Sequence, residues 1–177
     1  MKTLKNLNRF VMVGAALLAL SCSKSDDNGS GGSTPSSGTY IKAKVDGTWK
    51  QTYTIQGMSA GVAVSTGSGL GRVIQITGSN DQGGTNAFAI YLIGIDATGD
   101  YTLNSDSDSV MSYAETATSS SWDTSSSCSG ATGTVHITTL NSTKIEGTFS
   151  FTGKNDDDCS SSKNVTNGSF RGVFMSN

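Results

Sequence analysis

From Thr39 onward, apolar and polar positions alternate along the chain. Ile41, Ala43 and Val45 are separated by Lys42 and Lys44, and Ile74 and Ile76 flank Gln75. A two-residue period marks a strand with one face buried, and no segment sustains the 3.6-residue period of an amphipathic helix. Turn residues punctuate the runs at Asp46-Gly47, Gly67-Ser68-Gly69, Gly83-Gly84, Thr98-Gly99-Asp100 and Asn141-Ser142. The stretch AFAIYLI, Ala87 to Ile93, is apolar on both faces and is assigned to the middle of the sheet system. The spacing predicts an all-β fold of about eight or nine short strands, arranged as an antiparallel β-sandwich or flattened barrel.

The clearest hairpin is TVHITTLNSTKIEGTFSFT. Its first arm sends Val135, Ile137 and Thr139 to one face and Thr134, His136 and Thr138 to the other. Its second arm sends Ile145, Gly147, Phe149 and Phe151 inward. Directly opposed residues share a face, so Val135 is set against Phe149, and that register carries Cys128 to the neighbourhood of Asp156. Cys159 lies three residues on. Cys128 and Cys159 are therefore expected to form a disulfide in an oxidising compartment.

The third cysteine, Cys22, has a different setting. Phe10 to Leu20 is apolar over about eleven residues, where a membrane-spanning helix needs roughly twenty. Lys2, Lys5 and Arg9 precede it, so residues 1–21 are expected to be a secretory leader. The ending ALSC resembles a bacterial lipobox, which implies cleavage before Cys22 and acylation of that residue. Ala19 stands where a lipobox prefers Leu, and Ala19-Leu20-Ser21 also fits an ordinary cleavage site. Two or more acyl chains make stable membrane anchoring. The following SKSDD resembles the Lys/Asp-rich signal that sends lipoproteins of Bacteroidota to the outer face of the outer membrane, which implies that role for Lys24, Asp26 and Asp27. Residues 22–38 also have the composition of a solvated tether.

Residues 39–177 then form the expected single all-β domain. Formal charge is −2 for the full chain, and loss of the three leader cations leaves about −5. Binding nucleic acid calls for a basic patch, so no nucleic-acid partner is expected. Across this region KVDGTW, IQITGSN, TGDYTL and IEGTFSFTG…VTNGSF resemble the spaced signatures of an uncharacterised Bacteroidota lipoprotein domain family. That resemblance implies an all-β domain and carries no catalytic residues with it.

Three groups of residues bear on chemistry. Gly57-Met58-Ser59-Ala60-Gly61 matches the G-x-S-x-G nucleophile elbow, with His136 downstream. An elbow needs a helix after the serine, whereas VAVSTGSGLG follows, rich in β-branched residues and glycine. Asn104, Asp106, Asp108 and Glu115 match part of an EF-hand spacing. Ser109 replaces the turn glycine, and VMSYAE alternates like a strand that carries Glu115 away. Trp122, in the polar run SSSWDTSSSC, is a candidate ligand contact, because an indole gives large contact area at low entropic cost. The same residue also fits a plug over the sheet edge.

The expected function is a lipid-anchored, cell-surface or outer-membrane lipoprotein serving as a binding or accessory module for a glycan or protein ligand. It is expected to be a monomer without cofactor or metal. A secreted hydrolase using Ser59 and a structural envelope component are the alternatives.

Overall fold

The structure is a computed structural model that describes Pro35 and residues 37–175. Cys22, Lys24, Asp26 and Asp27 lie outside the described residues. Thirteen strands follow in chain order: β1 (Gly38–Val45), β2 (Thr48–Gln51), β3 (Thr54–Ile55), β4 (Met58–Ala60), β5 (Val62–Thr66), β6 (Val73–Ser79), β7 (Asn86–Ile93), β8 (Gly99–Asn104), β9 (Val110–Glu115), β10 (Ser120–Asp123), β11 (Thr132–Leu140), β12 (Lys144–Lys154) and β13 (Ser162–Val173).

They build one sheet, in the order β3-β4-β1-β13-β12-β10-β9-β7-β6-β5, with β2 beside β1, β11 beside β12 and β8 beside β11. The sheet curls until Ala63 of β5 bridges Phe174, just beyond β13, and the result is a half-barrel closed over one core. The all-β expectation holds. Two of its details do not.

The strand count is thirteen rather than eight or nine, because β2, β3, β4 and β10 have only two to four residues each. Runs that short cannot display a period, so alternation cannot reveal them. The sheet is also mixed and continuous instead of a strictly antiparallel sandwich. β4 runs parallel to β1, with Gly38 beside Ser59 and Thr39 beside Ala60. Thr39 then meets Gly61, whose backbone donates to the Thr39 carbonyl at 3.0 Å. A Cβ at Gly61 would lie 2.5 Å from that carbonyl oxygen, so glycine is what permits the approach. Pro35 is buried, and Gly38 already belongs to β1.

β7 is an interior strand, between β6 and β9, and none of its residues is exposed. The hairpin of β11 and β12 has the expected register, Val135 opposite Phe149 and His136 opposite Thr148. Aromatic rings line the core from one side of the barrel to the other: Phe88 on Tyr113, Tyr113 on Trp122, and Phe149 on Phe88, Phe151 and Phe170. The Tyr113 hydroxyl bonds Asn86 and Glu115. Burial, followed by the Glu115 charge, pushes its phenol above the ordinary tyrosine range, so it stays a neutral donor.

β13, the longest strand, carries a bulge. Between Phe149↔Gly168 and Phe151↔Val165, and again between Lys42↔Ser169 and Lys44↔Thr166, it uses one residue more than either neighbour. Asn167 takes up the extra residue in the left-handed region at φ 53°. Asparagine tolerates that conformation better than most residues. At Gly168 a Cβ would lie 2.5 Å from the Phe149 carbonyl oxygen and 2.6 Å from its ring, so no side chain fits. Such a bulge bends the strand and re-aims side chains.

Candidate functional site

Side chains of β8, β11, β12 and β13 that point away from the core meet in rows across the strands. One row is Asp100, His136, Thr148 and Ser169; a second is Thr102, Thr134 and Ser150; a third is Asn104, Thr132, Thr152 and Asn164. Asp100, Thr102, Thr134, His136, Thr148 and Ser150 are all solvent-exposed. Two shallow depressions lie along this face, of about 440 Å³ and 250 Å³, and both border Thr134 and Ser150. The β13 bulge places Asn167 at the wall of the larger one.

Local geometry orders part of this surface. His136 Nδ1 lies 2.6 Å from Asp100 Oδ1, an arrangement in which Nδ1–H donates to the carboxylate. Thr134 and Ser150 hydroxyls are 3.4 Å apart. Hydroxyls and a carboxamide both donate and accept, while the carboxylate accepts only. The face is therefore suited to a ligand dense in hydrogen-bonding groups. It continues across Ser169 and Thr166 to Lys42 and Lys44 of β1, then to Gln51 and Trp49 of β2. The Lys42 and Lys44 ammonium groups lie 4.7 Å and 5.3 Å from the Trp49 ring centre.

Trp122 is elsewhere. It lies on β10, not in a loop, and is only 6% exposed. Its ring stacks on Tyr113 at 6.2 Å, Lys163 Nζ sits 4.9 Å from the ring centre, and its Nε1–H donates to Ser161 Oγ at 2.8 Å. The expected ligand contact is thus a core residue: the strand buries its ring instead of presenting it to solvent. Lys163 also bonds Glu115 at 3.2 Å and Asp46 at 3.3 Å, which ties the start of β13 to β9 and to the β1–β2 turn.

Cys128 and Cys159 are joined, with Cα atoms 5.3 Å apart. Asp156 accepts from Ser126 Oγ at 2.7 Å and from the Ser127 amide at 3.0 Å, the neighbourhood that the hairpin register implied.

Ser59 and His136 are not brought together. Ser59 is 5% exposed in β4, and its hydroxyl has no hydrogen-bond partner among the described residues. Four strand spacings separate β4 from β11, about 19 Å along the sheet. His136 faces solvent. Asn104, Asp106, Asp108 and Glu115 do not converge either. Asn104 Oδ1 accepts from the Asp106 amide at 3.0 Å in a local turn, while Glu115 ends β9 beside Lys163. Among the described residues, no group of three or more His, Cys, Asp or Glu side chains is placed to hold a metal ion.

The outward row of Thr134, His136 and Thr138 is legible from alternation, but Asp100 opposite His136 is not, since strand order across β8 and β11 leaves no local signal. Comparison with curated proteins and with solved structures gives no match. The model of a domain of unknown function, DUF6252, matches residues 37–174, which is nearly all of the described half-barrel, and the chain belongs to that family.

Proposed function

We propose that this chain is a binding module held to a membrane by lipid on Cys22, with Lys24, Asp26 and Asp27 directing it to the outer surface of the outer membrane. Its ligand is a polyhydroxylated chain, a glycan, taken on the outer face of β8, β11, β12 and β13. One observation carries this reading: cross-strand rows of hydroxyl, carboxamide, imidazole and carboxylate groups border two adjoining depressions on a solvent-facing sheet. Sugar hydroxyls donate and accept at once, and side chains that do the same can satisfy them in either sense.

A glycan array probed with the mature chain tests the proposal. Removing a hydrogen bond to a charged group typically costs about 1.5–3 kcal/mol, so Asp100→Ala is expected to weaken binding by roughly 10- to 150-fold. Thr148→Val removes a neutral bond and is expected to weaken it by about two- to tenfold. Ser59→Ala, on the inner side of the sheet, should leave affinity unchanged. Binding that survives both face substitutions would remove the site from this surface. Anchoring is read separately: Cys22→Ala should abolish incorporation of a fatty-acid probe and release the protein from membranes.

A further inference from the structure

Where the chain joins the half-barrel, the outer surface turns apolar. Gly38 opens β1 beside Met58, whose side chain would lie 3.1 Å from a Cβ at that glycine. Continuing the Tyr40↔Arg171 register by one pleat sets Gly38 across from Val173. The parallel bridge of Ala63 with Phe174 then puts Val62 beside Val173 and Val64 beside Met175, on the side away from the core. Ile55 pairs with Met58 on the far side of the strip. All six are exposed: Ile55 48%, Met58 55%, Val62 37%, Val64 40%, Val173 43% and Met175 69%. Scattered exposed apolar residues are ordinary, but a contiguous group marks an interaction surface.

The point of arrival is fixed. Arg171 donates to the Pro35 carbonyl at 2.9 Å and to the Gly38 carbonyl at 2.8 Å, holding the incoming backbone against this strip. Only thirteen residue steps separate Pro35 from Cys22. Such a segment spans at most about 45 Å and averages roughly 20 Å end to end when flexible. The charge distribution agrees. Arg72 lies over Phe174 at the rim of the strip, whereas Asp156, Asp157 and Asp158 precede β13 at its opposite end, about 36 Å away along the strand.

We propose that this strip is the membrane-facing surface of the domain and lies against the headgroup–acyl boundary of the lipid bilayer. The inference rests on the anchoring at Cys22 proposed above. Lipid attachment holds the strip at high local concentration over the bilayer, and insertion of Met58, Ile55, Val62 and Val173 turns a loose tether into a defined orientation. The acidic end then points away from anionic headgroups, and the polar face stands free at the side.

Site-directed spin labelling tests this on the lipidated chain, with the disulfide intact, in phosphatidylethanolamine–phosphatidylglycerol vesicles. Labels are placed singly at Met58→Cys and, as a control on the polar face, at Thr102→Cys. The Met58 label should be relaxed by oxygen and shielded from a water-soluble nickel chelate, with the reverse at Thr102. A label at Val62→Cys should be shielded likewise and lose that shielding in a Met58→Asp, Val173→Asp background that remains folded. Equal nickel accessibility at both sites, on protein that mass spectrometry finds acylated at Cys22, overturns the inference and leaves the anchor standing. Absence of the acyl groups overturns the anchor and the orientation together. Dipolar broadening between Met58 labels that persists as protein is diluted in lipid would give the strip to a second copy of the chain, and that too overturns it.

Discussion

Trp122→Ala is expected to lower the unfolding free energy by about 3–5 kcal/mol, the range for truncating a buried large aromatic. The indole is 6% exposed, stacks on Tyr113 and lies under Lys163, so its removal leaves a void where three elements meet. Collapse into that void is hindered. β12 already runs as close as it can, since a Cβ at Gly153 would lie 2.8–2.9 Å from the Trp122 backbone and Cβ. Ser161 would also lose its donor. Trp122→Phe keeps most of the ring and forfeits that bond, so it should cost less than half as much. Urea denaturation followed by far-ultraviolet circular dichroism measures both, and an unchanged midpoint for Trp122→Ala would refute its structural role. Glycan affinity, measured where the variant remains folded, should not move.

Opening the Cys128–Cys159 bond is expected to cost about 3–4 kcal/mol. The bond closes a loop with a sequence separation of 31; chain entropy alone gives a cost of that size. The same measurement on a Cys128→Ala, Cys159→Ala chain, or on the wild type in dithiothreitol, provides the test. The loss should be larger than any single contact at that end of the barrel, because Asp156 and its bonds to Ser126 and Ser127 depend on the two segments staying together. A change below about 1 kcal/mol would mean that these local bonds hold the junction without the cross-link.

The contrast between these two residues shows what a sequence of this kind discloses. The disulfide was legible because a long alternating hairpin carries its register outward from Val135 and Phe149, and two cysteines fall near its open end. Trp122 was not, because β10 is four residues long and its neighbours are mostly serine and threonine. Composition there suggests a loop, while the burial comes from packing on β9 and β12, far away in the chain. Asn167-Gly168 is a related case: a dipeptide that favours hairpin turns sits inside the longest strand, where the surrounding ladder converts it to a bulge. The polar face divides along the same line. Outward alternation on β11 and β12 could be read directly. Its meeting with Asp100 depended on a strand order that no local pattern encodes.

The pairing of β1 with β13 sets the timing of folding. Gly38 and Arg171 are 133 residues apart, and among the described residues the first strand has β2, β4 and β13 as its ladder partners. A chain emerging from the ribosome can close the β11–β12 hairpin early, but the half-barrel cannot be completed until its final dozen residues are available. Contacts of such long range are slow to form, on millisecond-to-second scales. Until then only local pieces such as that hairpin can form, and β13 acts as the latch whose arrival commits them to the closed half-barrel.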